Sequence, residues 1–401
     1  MRRVVVTGLG VVSALGVGRE AHLEGLAEGR AGIRELRRLP TDRLMIKIGA
    51  EAEFEGETYF DRQQIALFDR VTQMALVASE EAMAQSGLEV TEALGARMAT
   101  IIATAMGGLH TQDENYYAVY HEMKNRVHPF IIPRLMANAP VSQVSMKFGI
   151  RGPAWSVATA CASSNHAIGQ AFQLVRSGVC DAAVTGGTES VLCFGGIKAW
   201  EGLRVMSRDG CRPFSKTRNG MVLGEGAAIL VLEERDAAMA RGAEILAEIA
   251  GSGMTADATD IVAPDLKGAT AAIELALRDA EMAPDEVGYI NAHGTATAIN
   301  DRTEAAAIKA AFGLAAERLA VSSTKSMHGH AIGAAGALEA AAVILALKRG
   351  VIAPTISYDT PDPEIGLDVV PNTAREVPIG AALSNAFAFG GLNAVLAFRA
   401  P

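Results

Sequence analysis

Ala158-Thr159-Ala160-Cys161-Ala162-Ser163-Ser164-Asn165-His166-Ala167-Ile168-Gly169 is the stretch from which the fold is read. Strand-like Ser156-Val157 precedes it, and a helical pattern from Asn165 to Ser177 follows. The cysteine therefore stands at a strand-to-helix turn, near a helix N-terminus. A second stretch repeats this plan. Ser323-Thr324-Lys325-Ser326-Met327-His328-Gly329-His330 closes the apolar run Ala320 to Ser323 and leads into a long helical pattern, Ile332 to Arg349. His166-Ala-Ile-Gly169 recurs as His330-Ala-Ile-Gly333, with Cys161 and Lys325 each five residues ahead of its copy. Duplication is the reading favoured over chance recurrence in an Ala- and Gly-rich chain.

Working outward, strand-like and helix-like runs alternate, the signature of an α/β layered fold. Arg3 to Thr7 reads as a strand ending in a glycine turn at Gly8 and Gly10. Asp69 to Gly87 is an amphipathic helix, with Val71, Met74, Ala75, Ala78, Ala82 and Met83 on one face. Met98 to Ala103, Ala182 to Thr185 and Ala227 to Leu232 read as further strands. In the second half Glu244 to Ala250 and Val287 to Asn291 are strands, and Thr270 to Met282 is a helix. Ala78-Ser-Glu-Glu-Ala82 and Ala276-Leu-Arg-Asp-Ala280 occupy comparable helices. The expected halves are 1–243, carrying the cysteine, and 244–401, carrying the histidines and Lys325. No Pro/Ser linker divides them, so they are expected to pack as one body.

Composition narrows the function. The 401 residues are 50% hydrophobic and 20% charged, enough to bury a large core. The formal net charge is −9, with no basic stripe, which argues against nucleic acid as a partner. The longest apolar run, Ala331 to Leu347, is interrupted by Glu339 and is too short to span a bilayer. Met1-Arg-Arg before Val4-Val5-Val6 superficially resembles a signal peptide but reads better as a first strand. The four cysteines, 161, 180, 193 and 211, form no C-x-x-C pair, which fits a reducing cytoplasm.

Cys161 is singled out by its turn, its small polar neighbours and the helix dipole, which is expected to lower its pKa. Cys180, Cys193 and Cys211 read as buried structural thiols. His293 lies in Asn291-Ala-His-Gly-Thr295-Ala-Thr297, just past an apolar strand, where α/β folds place ligands. His328-Gly-His330 is a weak metal signal, because no third and fourth ligand stands at plausible spacing. Gly8-Leu-Gly10 does not continue to G-x-G-x-x-G, so a dinucleotide site is not expected.

These residues carry a resemblance. Val5-Val-Thr-Gly-Leu-Gly, Thr159-Ala-Cys-Ala-Ser-Ser, Gly186-Gly-Thr-Glu, Arg212-Pro-Phe, Gly224-Glu-Gly-Ala, Asn291-Ala-His-Gly-Thr, Ser323-Thr-Lys-Ser-Met, Gly329-His330 and Phe389-Gly-Gly-Leu-Asn393 run in order through the chain. Together they resemble the elongating type II β-ketoacyl-acyl carrier protein synthases. The resemblance implies a thiolase-like, duplicated five-layer α/β/α/β/α fold, a homodimer, and an acyl carrier protein as partner. It implies no metal and no cofactor, the substrates being carried on phosphopantetheine. By position, Cys161 matches the acyl-accepting nucleophile, His293 and His330 the two active-site histidines, and Lys325 the family lysine. Glu339, Asp301 and Glu304 match supporting acids. Thr295 and Thr297 match threonines on the phosphopantetheine arm, and Phe389 the gating phenylalanine whose N–H joins that of Cys161 in an oxyanion hole. Met106 and Trp200 match positions of the acyl pocket.

The chain departs from the pattern at Ala388, where glycine is usual, at Leu392, where threonine is usual, and at His328. Gln63 and Leu67 replace residues that often dock the carrier, leaving Arg62, Arg70, Arg204 and Arg208 as substitutes. A degradative thiolase is disfavoured because a histidine occupies Gly329-His330. A non-catalytic chain-length subunit is disfavoured by Cys161. A specialised synthase, of nodulation-factor or very-long-chain lipid type, stays open beside primary fatty acid elongation.

Overall fold

The computed structural model describes residues 1–401. Ten strands form its frame: β1 (Val4–Ser13), β2 (Met98–Ala103), β3 (Ala154–Val157), β4 (Ala182–Glu189), β5 (Gly226–Glu234), β6 (Ala247–Ala256), β7 (Tyr289–Asn291), β8 (Ala320–Ser322), β9 (Ala381–Ala388) and β10 (Leu392–Arg399). Their spatial order is β8-β7-β9-β10-β6-β1-β5-β4-β2-β3. Read from the central seam, the first half runs β1-β5-β4-β2-β3 and the second β6-β10-β9-β7-β8. The same pairs are parallel and antiparallel in both. The chain is thus a structural duplication. The seam is narrow, with Val4, Val5 and Val6 paired antiparallel to Ile249, Glu248 and Ala247.

Five helices complete the layers: α1 (Arg70–Ser86), α2 (Ser163–Arg176), α3 (Leu266–Asp279), α4 (Ala298–Phe312) and α5 (Ala335–Arg349). Strand alternation explains the stacking. Ala228, Leu230 and Leu232 of β5 face the central core with Ile168 and Phe172 of α2 and Leu338 and Ile344 of α5. Ala227, Ile229 and Val231, on the other face, meet Met74 and Ala78 of α1. In the second half Leu383 and Val395 turn outward to Ile273 of α3 and Ile308 of α4. Each half therefore has its own outer helices, and α2 and α5 share the middle layer, giving the expected α/β/α/β/α arrangement. No helix is long and apolar enough to cross a membrane.

Two sequence expectations change. Gly8 and Gly10 do not end the first strand, which continues to Ser13. They let α1 sit directly on β1: a Cβ on Gly8 would drive into the Ala82 carbonyl, and one on Gly10 into that of Ala78. Gly251 and Gly253 of β6 do the same against Ala280, Ala276 and Ala272 of α3. The Ala78/Ala82 and Ala276/Ala280 correspondence is therefore real, and its cause is close glycine–alanine packing. The His-Ala-Ile-Gly recurrence is out of register. His166 lies within α2, whereas His330 precedes α5 and is separated from it by a short 3₁₀ turn, Ile332–Ala334.

Candidate active site

Each half has its own set of parallel strands, β2 and β3 with β4 in the first and β7, β8 and β9 in the second, and the chemistry gathers in the loops that follow them. Beyond β3, Ala160 adopts φ 47°, a conformation that non-glycine residues rarely take, and this tight turn presents Cys161 two residues before α2. Beyond β7 comes His293, and beyond β8 Lys325 and His330. Loops from both halves thus converge, and one reactive atom each from Cys161, His293 and His330 lies within 4.8 Å of the others. The two imidazoles meet edge to face, with ring centroids 5.4 Å apart.

Hydrogen bonds decide where the imidazole protons sit. His330 Nδ1 accepts the backbone N–H of Ile332 at 3.2 Å, so the proton of the neutral ring lies on Nε2. That Nε2 is buried and has no protein partner. His293 Nδ1 stands 3.4 Å from Lys325 Nζ, and an ammonium donating there also puts the ring proton on Nε2. Lys325 is completely buried against the carboxylate of Glu339. Glu304 accepts the N–H groups of His293 and Gly294 at 2.8 and 2.7 Å, and Asp301 accepts that of Phe214 at 2.8 Å and of Ala296 at 3.2 Å. The two acids thus act on the backbone of the His293 loop.

Burial governs the electrostatics. It pushes the carboxyls of Glu304 and Glu339 up to about 7 and that of Asp301 to about 6, against their hydrogen bonds. His293 and His330 are held well below the usual imidazole range, first by burial and then by the Lys325 charge, so both rings are neutral. The expected lowering of the Cys161 pKa is not met. Burial pushes the thiol up to about 12, and Lys325 and the N–H groups of Phe389 and Cys161 offset this only in part. The resting sulfur is a thiol, because desolvation of a thiolate outweighs the help of one helix end.

Cys161, His293 and His330 line a cavity of ≈ 310 Å³, together with Thr295, Thr297 and Phe389. The two threonine hydroxyls are 3.0 Å apart, and the Phe389 ring lies against Trp200 with centroids at 6.1 Å. Trp200 and Met106 do not line this cavity. Trp200 stands behind Phe389, and Met106 is 44% exposed on the turn after β2. Arg204 lies at the mouth, whereas Arg62 and Arg208 are outside the lining. Arg70 is not free to dock a carrier: its guanidinium is paired to buried Glu225 at 2.7 Å and to the carbonyls of Ala52 and Phe54.

His328 does not join His330 as a ligand. Its nitrogens are engaged by the Gly329 carbonyl at 2.9 Å and the Thr324 hydroxyl at 3.0 Å. Cys161, His293 and His330 are close enough to share one metal ion. With both Nδ1 atoms engaged, a metal would need both Nε2 protons to leave. Two site residues carry no sequence motif. Asn385 donates to Glu304 at 3.2 Å, and Arg218 lines the cavity while paired to Asp362. The available signal was the polar pair Ser384-Asn385 inside an apolar, fully buried strand segment.

Comparison with known proteins agrees over the whole chain. Residues 1–238 match the beta-ketoacyl synthase N-terminal domain and 246–359 its C-terminal domain. The chain is 45% identical over 398 residues to nodulation protein E of Rhizobium sp. (strain N33), covering 99% of each. It is 41% identical over 406 residues to 3-oxoacyl-[acyl-carrier-protein] synthase 2 of Staphylococcus aureus (strain COL), covering 99% of this chain and 98% of the relative. A type II PKS ketosynthase, solved in complex with its acyl-carrier protein, superposes with a TM-score of 0.90. It is 32% identical, and the match covers 100% of this chain and 99% of the other.

Proposed function

Because the chain belongs to the β-ketoacyl synthase family, we propose that Cys161 is its acyl acceptor and that His293 and His330 drive decarboxylation of the extender. The chain is a condensing acyltransferase with the thiolase-like fold. The observation that carries the residue assignment is the approach, within 4.8 Å of one another, of the Cys161 sulfur and one ring nitrogen each of His293 and His330, with His330 Nε2 left unpartnered in the protein. In the first step the Cys161 sulfur attacks the thioester carbon of an acyl chain carried on phosphopantetheine. A C–S bond forms, the C–S bond to the carrier breaks, and the carrier thiol leaves with the proton that Cys161 gives up. In the second, malonyl-carrier loses CO₂, and negative charge grows on its thioester oxygen, where two N–H donors stabilise it. The enolate carbon then attacks the acyl-Cys161 carbonyl, whose oxyanion is met by the N–H groups of Cys161 and Phe389. Collapse breaks the C–S bond to Cys161 and releases the β-ketoacyl carrier, and the Cys161 thiolate takes up a proton from solvent.

Lys325 sets the His293 tautomer, Glu339 balances Lys325, and Glu304 and Asp301 hold the His293 loop. Thr295 and Thr297, whose side chains line the cavity, would hydrogen-bond the pantetheine amides. No resident cofactor enters these steps. The partner is an acyl carrier protein, with Arg204 the cation nearest the mouth. A homodimer is supported by the open edge of β3 and by exposed apolar side chains on residues 106–136, among them Met106, Tyr116, Tyr120, Met123 and Ile132. In that assembly Met106 would reach the acyl end through the partner, which keeps it and Trp200 as chain-length residues. Four free cysteines fit a cytoplasmic location. Similarity to nodulation protein E supports the second reading, a specialised acyl chain in place of primary fatty acids. Intact-mass measurement after mixing with acyl-carriers of graded length tests both. Acylation confined to Cys161 is expected, and no acylation at any length would defeat the assignment.

A further inference from the structure

Glu189 ends β4 and is completely buried beside, not inside, the catalytic cavity. Its carboxylate is a four-way acceptor. Oε1 takes the Thr104 hydroxyl at 2.9 Å and the Met106 N–H at 3.3 Å. Oε2 takes the Ala105 N–H at 2.8 Å and the Gly333 N–H at 3.0 Å. Three of these donors belong to the turn after β2, which carries Met106. The fourth belongs to the loop that carries His330.

That fourth bond falls at a strained place. Ile332, between His330 and Gly333, has φ 40°, a true outlier for a β-branched residue. Such a conformation persists only where its surroundings over-determine it. Here the Ile332 N–H is spent on His330 Nδ1, the Gly333 N–H on Glu189, and the Gly333 carbonyl on the Ser164 hydroxyl at 2.5 Å. Without Glu189 the Ile332–Gly333 peptide is free to relax, and the Ile332 N–H turns away from the imidazole. His330 then loses the hydrogen bond that reserves Nε2 for its proton.

We propose that Glu189 is a positioning residue for His330, holding the strained Ile332–Gly333 peptide so that the imidazole stays an Nε2–H donor, and tying it to the Met106 turn. The proposal deepens the catalytic reading above and rests on it only for the kinetic consequence. Burial pushes the Glu189 carboxyl up to about 7, and its four hydrogen bonds pull it back toward ionisation.

Glu189→Gln keeps the shape but replaces two acceptor sites with N–H donors. In ¹⁵N-histidine-labelled full-length protein, His330 is expected to change from a single Nε2–H tautomer to a mixture. CO₂ release from malonyl-carrier by the acylated enzyme is expected to fall 10- to 100-fold, with acylation of Cys161 within about twofold. A His330 tautomer unchanged in Glu189→Gln would overturn the proposal, whatever the activity. A changed tautomer with normal CO₂ release would uphold the positioning and defeat instead the donor role of His330. Should Glu189→Gln not fold, Glu189→Asp serves: one methylene shorter, it cannot hold both segments, and an unchanged His330 there would equally overturn it.

Discussion

Replacing His330 by alanine separates the two chemical steps. On the function proposed above, the ring is one of two donors to the developing thioester oxyanion, and its Nε2 has no partner within the protein. Loss of one such donor costs about 10²–10³ in rate, or roughly 2.7–4 kcal/mol of barrier. Alanine leaves room for a water that donates less well, so the lower end, about 10², is expected. Folding is less affected, because the only hydrogen bond lost is Ile332 N–H to Nδ1, worth about 1 kcal/mol. The assay has two arms. Intact mass follows acyl transfer to Cys161, and trapped radioactive CO₂ follows decarboxylation by the acylated protein. Acylation should stay within about threefold of the parent, since the N–H groups of Phe389 and Cys161 that attend the sulfur are untouched. Normal CO₂ release with failed acylation would refute the reasoning and make His330 the base for Cys161.

Other outcomes follow from burial. Lys325→Ala strands the Glu339 carboxyl in the core, and urea unfolding should show a loss of about 3–5 kcal/mol. Lys325→Met with Glu339→Met should recover most of it, and no recovery would mean that the pair is not the source. His22 is buried with its pKa lowered to about 4. The native state thus binds fewer protons than the unfolded state between pH 4 and 6.5, and stability is full above 6.5 and lost on acidification. The contribution of His22 is about 3 kcal/mol, so His22→Asn should flatten the stability profile in that window. Cys161, Cys193 and Cys211 are all pushed up to about 12, and only Cys161 lines the cavity. Iodoacetamide should therefore label Cys161 first, at a rate still climbing above pH 8.5. A plateau near neutral pH would show a thiolate that the burial argument denies.

The layered fold was legible because its packing is written locally. The Ala-x-x-x-Ala helices and the apolar runs survive in any context, and β2 was located from Met98 to Ala103. The β9–β10 hairpin is not legible in the sequence. Its first strand is alanine-rich and holds Ser384-Asn385, polar residues whose partners, among them Glu304, lie far away in sequence. The catalytic residues were legible as motifs, but their protonation was not. The thiol pKa depends on how deeply the turn is buried, and no single segment carries that information. Arg70 misled for the same reason: Glu225, which neutralises it, lies 155 residues further on.

The shared middle layer also has a consequence for synthesis. Nearly every residue of α5 is buried, and α2 covers much of its own apolar face with elements of the second half. A ribosome adding roughly 5–20 residues per second finishes α2 long before α5 emerges. For on the order of 10–30 s the nascent first half carries a sheet and a helix whose inner surfaces have no mate. Neither half is then a stable resting point, and the chain is a natural client for chaperones until Arg349 has left the exit tunnel.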